Sequence, residues 1–355
     1  MLKALISVAA AALLESTYAN DKFAEGSESR ELMKLFGHVS AVFTPVNEKG
    51  ELDTSVLPKM AERLQEWGVK NVMVGGTTGE SLSFSYEERF ACVKAWLEIA
   101  PKYDINVYVH AGMDSVQSAA KYVKQLSEME GVKGIFAMPP VYFKPGSIDD
   151  LVDTMAPIAA GAPDLPFWYY HFPAMTGVDF NMFQFTEAVD VSGKIPNFMG
   201  VKFTNEILMD FNSIGHYKGG KYNMLMGRDE ILTSALATGV CDGDVSSTVN
   251  FLTYNLMATN AWNDGDLKLA MQLQMKTVDV IETWVKLMGS LNVQKSILKM
   301  TGIDFGPLRL PQVNMTKEQE IELGTALHEL GLNITTEYIK PDAKVPFEDA
   351  PVFLQ

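Results

Sequence analysis

Short, nearly continuous apolar runs recur along the chain from residue 37 onward, and amphipathic stretches separate them. The runs are "HVSAVFTPV" (38–46), "NVMVGG" (71–76), "INVYVHAG" (105–112), "GIFAMPP" (134–140), "PFWYYHFP" (166–173), "NFMGVKFT" (197–204), "YNMLMG" (222–227) and "VCDGDVSS" (240–247). Unbroken hydrophobicity of this kind predicts strands buried on both faces. Between them, apolar positions spaced by three and four predict helices over 54–67, 86–100 and 115–130. Strands alternating with helices imply right-handed βαβ units, and eight of them predict a closed (β/α)8 barrel over residues 36–262. An open doubly wound sheet is the competing fold, but no GxGxxG follows the first strand. Beyond the barrel the strand pattern stops. Residues 265–288, 291–301 and 316–330 read as helices, giving a C-terminal helical extension over 263–338 and an irregular, proline-containing tail over 339–355.

Composition narrows the function. The chain has 355 residues, 47% hydrophobic and 21% charged, enough for a large soluble core. Lys and Arg total 29 against 44 Asp and Glu, a formal charge of −15, and no cationic cluster that would grip nucleic acid is visible. The two cysteines, Cys92 and Cys241, make no disulfide framework or CxxC ligand pair, and the five scattered histidines form no HxH or HExxH. No metal is expected. Residues 1–35 form a leader in which Lys3, "ALISVAAAALL" and "ESTYA" resemble the regions of a secretory signal ending at Ala19. The sequons at Asn314 and Asn333 agree with secretion, and no segment is long and apolar enough to span a bilayer.

The chemistry is sought at the C-terminal ends of the strands, where such barrels carry their sites. Lys202 interrupts the apolar run "NFMGVKFTNEIL". Desolvating an ammonium is costly, so Lys202 either reaches a strand end, pairs with a carboxylate, or is kept as a neutral amine for chemistry. At the second strand end, "GGTTGES" (75–81) opens toward the helix over 86–100, and its glycines and hydroxyls suit either a carboxylate cradle or an ordinary βα turn. At the fifth, "WYYHFPAMTG" offers Tyr169 and Tyr170 on opposite faces, so one alone can enter the barrel. At the sixth, Thr204 shares a side with Lys202. "GRDE" at the seventh brings Asp229 and Glu230, and "SSTVN" at the eighth supplies small hydroxyls. A neutral amine can attack a ketone to form a Schiff base, whose iminium withdraws electrons and permits carbon–carbon cleavage. With a tyrosine to move the proton, and Thr77 and Thr78 to hold a carboxylate, this set predicts a class I aldolase for a 2-keto acid.

Taken together, "GGTTGES", "YYHFPAMTG", "GVKFTNEIL", "GRDEIL" and "QKSILKMTGIDFGPLRLP" resemble the N-acetylneuraminate lyase family of the dihydrodipicolinate synthase superfamily, from about residue 36 to about residue 312. The resemblance implies a barrel, commonly a homotetramer, that reversibly splits N-acetylneuraminate into N-acetylmannosamine and pyruvate without a cofactor. It implies Lys202 as the Schiff-base lysine and Tyr170 as the catalytic tyrosine. Thr77 and Thr78 match the pair that binds the pyruvate carboxylate, and Thr204 matches the hydroxyl residue two after the lysine. Gly227, Asp229 and Glu230 match positions that bind the sugar hydroxyls, and Ser247 matches the serine of "GSTYN". Tyr142 in "PPVYFKP" matches a position where a neighbouring subunit contributes a tyrosine. Ser246 departs from the usual glycine, narrowing the expected sugar floor, and the leader is longer than the family requires. The family implies a cytoplasmic enzyme where the leader is not a functional signal. "HFPAMTG" lacks the arginine of the dihydrodipicolinate synthases' "YNVPxRT", which favours a sugar chain over an amino acid. The alternatives are another 2-keto-3-deoxy sugar acid as substrate, or a non-catalytic sugar-acid-binding barrel.

Overall fold

A computed structural model describes residue 23, residues 28–288 and residues 293–344. The signal-like stretch 1–19, the first two residues of the helix expected over 291–301, and positions 345–355 of the tail lie outside the described residues.

Eight strands, β1 (Gly37–Ala41), β2 (Asn71–Val74), β3 (Asn106–His110), β4 (Val132–Ala137), β5 (Phe167–His171), β6 (Phe198–Phe203), β7 (Asn223–Met226) and β8 (Gly243–Ser246), are hydrogen-bonded in sequence order into a closed barrel. With helices between the strands, this is the expected (β/α)8 architecture, and Leu267–Met288, Gln294–Met300 and Lys317–Glu329 supply the C-terminal helices. Every strand stops short of the end of its apolar run. The excess residues turn into the βα connections yet stay buried, as Val42, Phe43 and Phe172 do, so hydrophobicity alone overruns the ladder.

The chain divides into two compact units, each discontinuous in sequence. The first contains Asn106–Arg228, Ala235–Val245 and the described part of the segment ending at Gly37. Its strands interleave large and absent side chains. The Trp168 ring stacks on Phe136 at 4.9 Å and meets the edge of Tyr108 at 5.8 Å. Its indole N–H donates to Asn223 Oδ1 at 2.9 Å, so the buried ring leaves no orphan donor. Alternation sends the intervening Tyr169 the other way, onto Phe185 of the helix Met182–Ser192, with ring centroids 4.8 Å apart. The short helix Glu28–Met33, within the leader, is tied to the same unit by Arg30, whose guanidinium donates to the carbonyls of Phe23, Phe198 and Lys221.

The second unit contains His38–Ile105, Asp229–Ser234 and the described part of the segment from Ser246 onward. Here the Asn250 side chain accepts from Ser40 Oγ at 2.9 Å and donates to Ala41 O at 2.9 Å. Arg63, on the helix Leu57–Glu66, donates to Thr301 O at 2.7 Å, joining the chain's early and late thirds. Phe251 meets Trp284 edge-on at 6.1 Å, which docks the long helix Leu267–Met288. No helix among the described residues is long and apolar enough to cross a membrane.

Candidate active site

Lys202 is the fifth residue of β6 and is only 3% exposed. Its ladder partner on β5 is Tyr170, and residues opposite each other in a parallel pair project to the same face. Lys202 Nζ lies 3.8 Å from the centroid of the Tyr170 ring, over its π face. The aromatic face gives a desolvated amine a partner whose attraction is greatest for the charged form. Tyr170, 2% exposed, is itself fixed on two sides: the His110 ring meets it edge-on at 5.7 Å and Phe172 stacks at 6.1 Å. Met138 completes this apolar cluster. The choice between Tyr169 and Tyr170, open on alternation alone, is thereby resolved in space, because Tyr169 packs toward a helix.

Two histidines, neither expected from the sequence, border this group. His110 Nε2 accepts the Met138 N–H at 3.3 Å. Asn205 Nδ2 lies 3.2 Å from His171 Nε2, with the amide donating and the ring accepting, which leaves the His171 proton on Nδ1. Burial pushes His171 down to about 4, so it is neutral at physiological pH. The only sequence trace of these roles is their position at the ends of apolar runs.

Thr204 follows β6 directly. Its N–H donates to His171 O at 2.8 Å, while its buried hydroxyl has no hydrogen-bond partner. A buried hydroxyl left unsatisfied is costly, and a bound ligand can satisfy it. Gly227 makes room for this hydroxyl, since a Cβ there would stand 2.0 Å from Thr204 Oγ1. Threonine is stiff at χ1, so it cannot simply swing aside. Gly227→Ala is therefore expected to cost about 1–3 kcal/mol through overpacking, read as a lowered urea midpoint. An unchanged midpoint would refute this account of the glycine.

Thr77 and Thr78 are half-buried on the turn after β2. Gly75, at φ +73°, starts that turn in a conformation other residues avoid. The expected helix follows this turn through a short connection. The 3-10 turn Ser81–Ser83 intervenes, and the helix Tyr86–Ile99 starts later with its own capping box of Ser85 and Glu88. The helix N-terminus is thus satisfied internally, so a carboxylate cradle here must be made by the turn's own hydroxyls and N–H groups.

Asp229 and Ser247 are brought together in the second unit. Asp229 Oδ2 accepts from Thr248 N at 3.0 Å and from Ser247 Oγ at 3.4 Å. Its backbone carbonyl accepts from Asn255 and Gln274, so the residue is held from both ends. Glu230 shares the same short 3-10 turn, half-buried. The Ser246 hydroxyl is taken up locally, accepting the Val249 N–H at 3.1 Å. Arg228, the neighbour of Asp229, pairs with Glu206 at 2.5 Å and lies over the Phe172 ring at 5.9 Å. Tyr142 stands apart: 78% exposed, edge-on to Phe143, its N–H bound to Asp114 Oδ1 at 3.2 Å. Burial raises both cysteine thiols to about 12, which leaves neither as a ready nucleophile. Among the described residues no three His, Cys, Asp or Glu side chains are grouped to hold a metal ion.

Eight parallel strands closed into one ring with helices between them define the (β/α)8 barrel class, here with a buried amine over a phenol ring on adjacent strands. The dihydrodipicolinate synthetase family matches residues 34–330, and the chain belongs to that family. The mouse and human N-acetylneuraminate lyases are each 35% identical over 289 residues, covering 80% of this chain and 89% of theirs. The chicken N-acetylneuraminate lyase is 36% identical over 291 residues, covering 80% of this chain and 92% of its own. Among solved structures, the N-acetylneuraminate lyase of Proteus mirabilis superposes with a TM-score of 0.78 at 29% identity, covering 84% of this chain and 99% of that one. That of Aliivibrio salmonicida gives 0.78 at 30%, covering 84% and 98%. With lyases as relatives across most of its length, the chain is an enzyme of that class.

Proposed function

We propose that the protein is a class I aldolase that reversibly cleaves N-acetylneuraminate into N-acetylmannosamine and pyruvate. The observation that carries this reading is the buried Lys202 Nζ over the face of Tyr170, on adjacent strands of one barrel. Lys202 attacks the C2 ketone of the open-chain sugar acid, and loss of water gives an iminium. Tyr170 takes the proton of the C4 hydroxyl, the C3–C4 bond breaks, and its electrons pass into the iminium to leave an enamine. The C4 carbon departs as the aldehyde of N-acetylmannosamine. Protonation at C3 and hydrolysis of the iminium then release pyruvate and the free amine. No cofactor is needed, because the lysine iminium is the electron sink.

Thr77 and Thr78 bind the pyruvate carboxylate in this reading, and Thr204 offers its unsatisfied hydroxyl beside the lysine. Gly227, Asp229, Glu230 and Ser247 receive the polyhydroxyl chain, for which acidic side chains are natural acceptors. The family's N-acetylneuraminate lyases, at about a third identity, support the substrate, and the lack of an arginine in "HFPAMTG" agrees with it. The same reading makes the protein a homotetramer with Tyr142 reaching a neighbouring subunit. The exposed Tyr142 and Phe143, and the exposed Met271 and Met275 on the helix Leu267–Met288, are apolar surface that such an assembly would cover.

Borohydride reduction in the presence of pyruvate tests the chemistry, and pyruvate release from N-acetylneuraminate tests the substrate. We expect one reduced pyruvyl adduct per chain, at Lys202, together with turnover. Labelling of another lysine would overturn the mechanism. An adduct at Lys202 with pyruvate released only from a different 2-keto-3-deoxy sugar acid would change the substrate, and tight N-acetylneuraminate binding with no release would reduce the protein to a binding barrel.

A further inference from the structure

A second lysine is buried more deeply than Lys202, and the mechanism above does not use it. Lys295, 1% exposed, lies on the helix Gln294–Met300 of the C-terminal extension. Its Nζ reaches Glu80 Oε1 at 2.9 Å and Pro307 O at 3.0 Å. Glu80 is the glutamate of "GGTTGES", two residues after Thr78. Its other oxygen accepts Arg309 N at 2.9 Å and Gln312 Nε2 at 3.1 Å. The carboxylate is thus held by three residues from the C-terminal extension and is itself almost fully buried.

The backbone around Glu80 explains what is being held. Glu80 sits at φ 53°, ψ 29°, the left-handed region that disfavours a residue with a Cβ. In that conformation its N–H donates to Thr77 O at 3.0 Å, closing the turn that carries Thr77 and Thr78. Thr44 Oγ1 donates to Gly79 O at 2.6 Å and pins the remaining peptide. Left to itself the chain would relax out of this shape, so something must over-determine it. Stability is a poor reason for such a pair, because desolvating two ions usually offsets their attraction and an apolar pair would serve as well. Direction is the better reason. An ion-paired carboxylate held by three contacts fixes where its own backbone can be.

We propose that Glu80 and Lys295 are positioning residues for substrate: the C-terminal extension sets the Thr77–Thr78 turn, and so the affinity for the 2-keto acid's carboxylate. This inference rests on the reading of Thr77 and Thr78 as the carboxylate-binding pair. It also gives the buried Lys295 a part other than nucleophile, since an ammonium paired with Glu80 has no lone pair to offer a ketone.

The test is a pyruvate titration of borohydride trapping at Lys202 in the full chain, for the wild type, Glu80→Gln, Lys295→Met and the double variant. In Lys295→Met the buried Glu80 charge loses its partner, and the pyruvate concentration for half-trapping should rise about tenfold. Glu80→Gln keeps the size and most hydrogen bonds, and should raise it about threefold. The double variant carries no unpaired charge and should return to within about threefold of the wild type. Trapping at saturating pyruvate should reach the same extent in all four, because Lys202 is untouched. Singles that lose thermal stability while their half-trapping concentration stays at the wild-type value would overturn the inference, since they show a structural role alone. Should Lys295→Met fail to fold, Glu80→Gln decides by the same criterion. A wild type that takes no label at Lys202 would overturn the aldolase reading and this inference with it, whereas a labelled wild type with coincident midpoints overturns only the inference.

Discussion

Lys202→Met abolishes pyruvate release and borohydride trapping while the protein stays folded; this is the largest effect expected of any single substitution. Methionine keeps the unbranched length and polarizable bulk of the lysine, so the site over the Tyr170 ring stays filled. What disappears is the nucleophilic nitrogen, and with it every bond made to C2 of the substrate. Loss of a covalent nucleophile lowers kcat by at least about 10³-fold, and the other lysine buried among the described residues, Lys295, is engaged by Glu80. The fold itself should tolerate the change well. Lys202 is 3% exposed, and an apolar side chain carries none of an amine's desolvation cost, so the melting temperature should hold or rise. A variant that is folded and still releases pyruvate at more than about a thousandth of the wild-type rate would remove Lys202 from the mechanism.

Tyr170→Phe separates the two halves of the chemistry. The ring remains, and with it the face under Lys202, the edge contact to His110 and the stack on Phe172. Only the hydroxyl is lost. Adduct formation with pyruvate should therefore survive at Lys202, whereas turnover of N-acetylneuraminate should fall by about 10²–10⁴-fold, the usual loss on removing a proton-transfer group. A loss of trapping equal to the loss of turnover would make the hydroxyl part of Schiff-base formation rather than of carbon–carbon cleavage. Unimpaired turnover would exclude Tyr170 from proton transfer altogether.

Much of the barrel was legible in the sequence because each of its strands is buried on both faces and so stands out as an unbroken apolar run. The ends were overrun, since residues such as Val42 and Phe172 are buried by the connections as thoroughly as strand residues are by the helices. Lys202 was conspicuous for the opposite reason, a charge where the pattern allowed none. Tyr170 was singled out by the family resemblance alone, because alternation separates it from Tyr169 without saying which face is inward. Contacts between distant positions were invisible. The close approach of Gly227 to the Thr204 hydroxyl has no trace in the sequence. Asp229 reads as a free sugar acceptor until the Thr248 N–H and the Ser247 hydroxyl are found on its carboxylate. His110 and His171 carry no spacing signature, and Glu80 hides within a motif whose threonines draw the eye. Lys295 looks like surface, although it falls three residues before the buried Leu298 on the core side of its helix.

The Glu80–Lys295 pair joins positions 215 residues apart in the chain. During synthesis the "GGTTGES" turn leaves the ribosome long before its counter-charge exists, and the acid must wait in water while the intervening strands and helices are made. The contacts that hold its left-handed shape from the C-terminal side form only once the far helix has docked, so on the proposal above keto-acid recognition would be among the last properties a growing molecule acquires. Chains cut short before residue 295 would lack that counter-charge, and on the proposal above they would hold the turn, and with it a keto acid's carboxylate, less firmly.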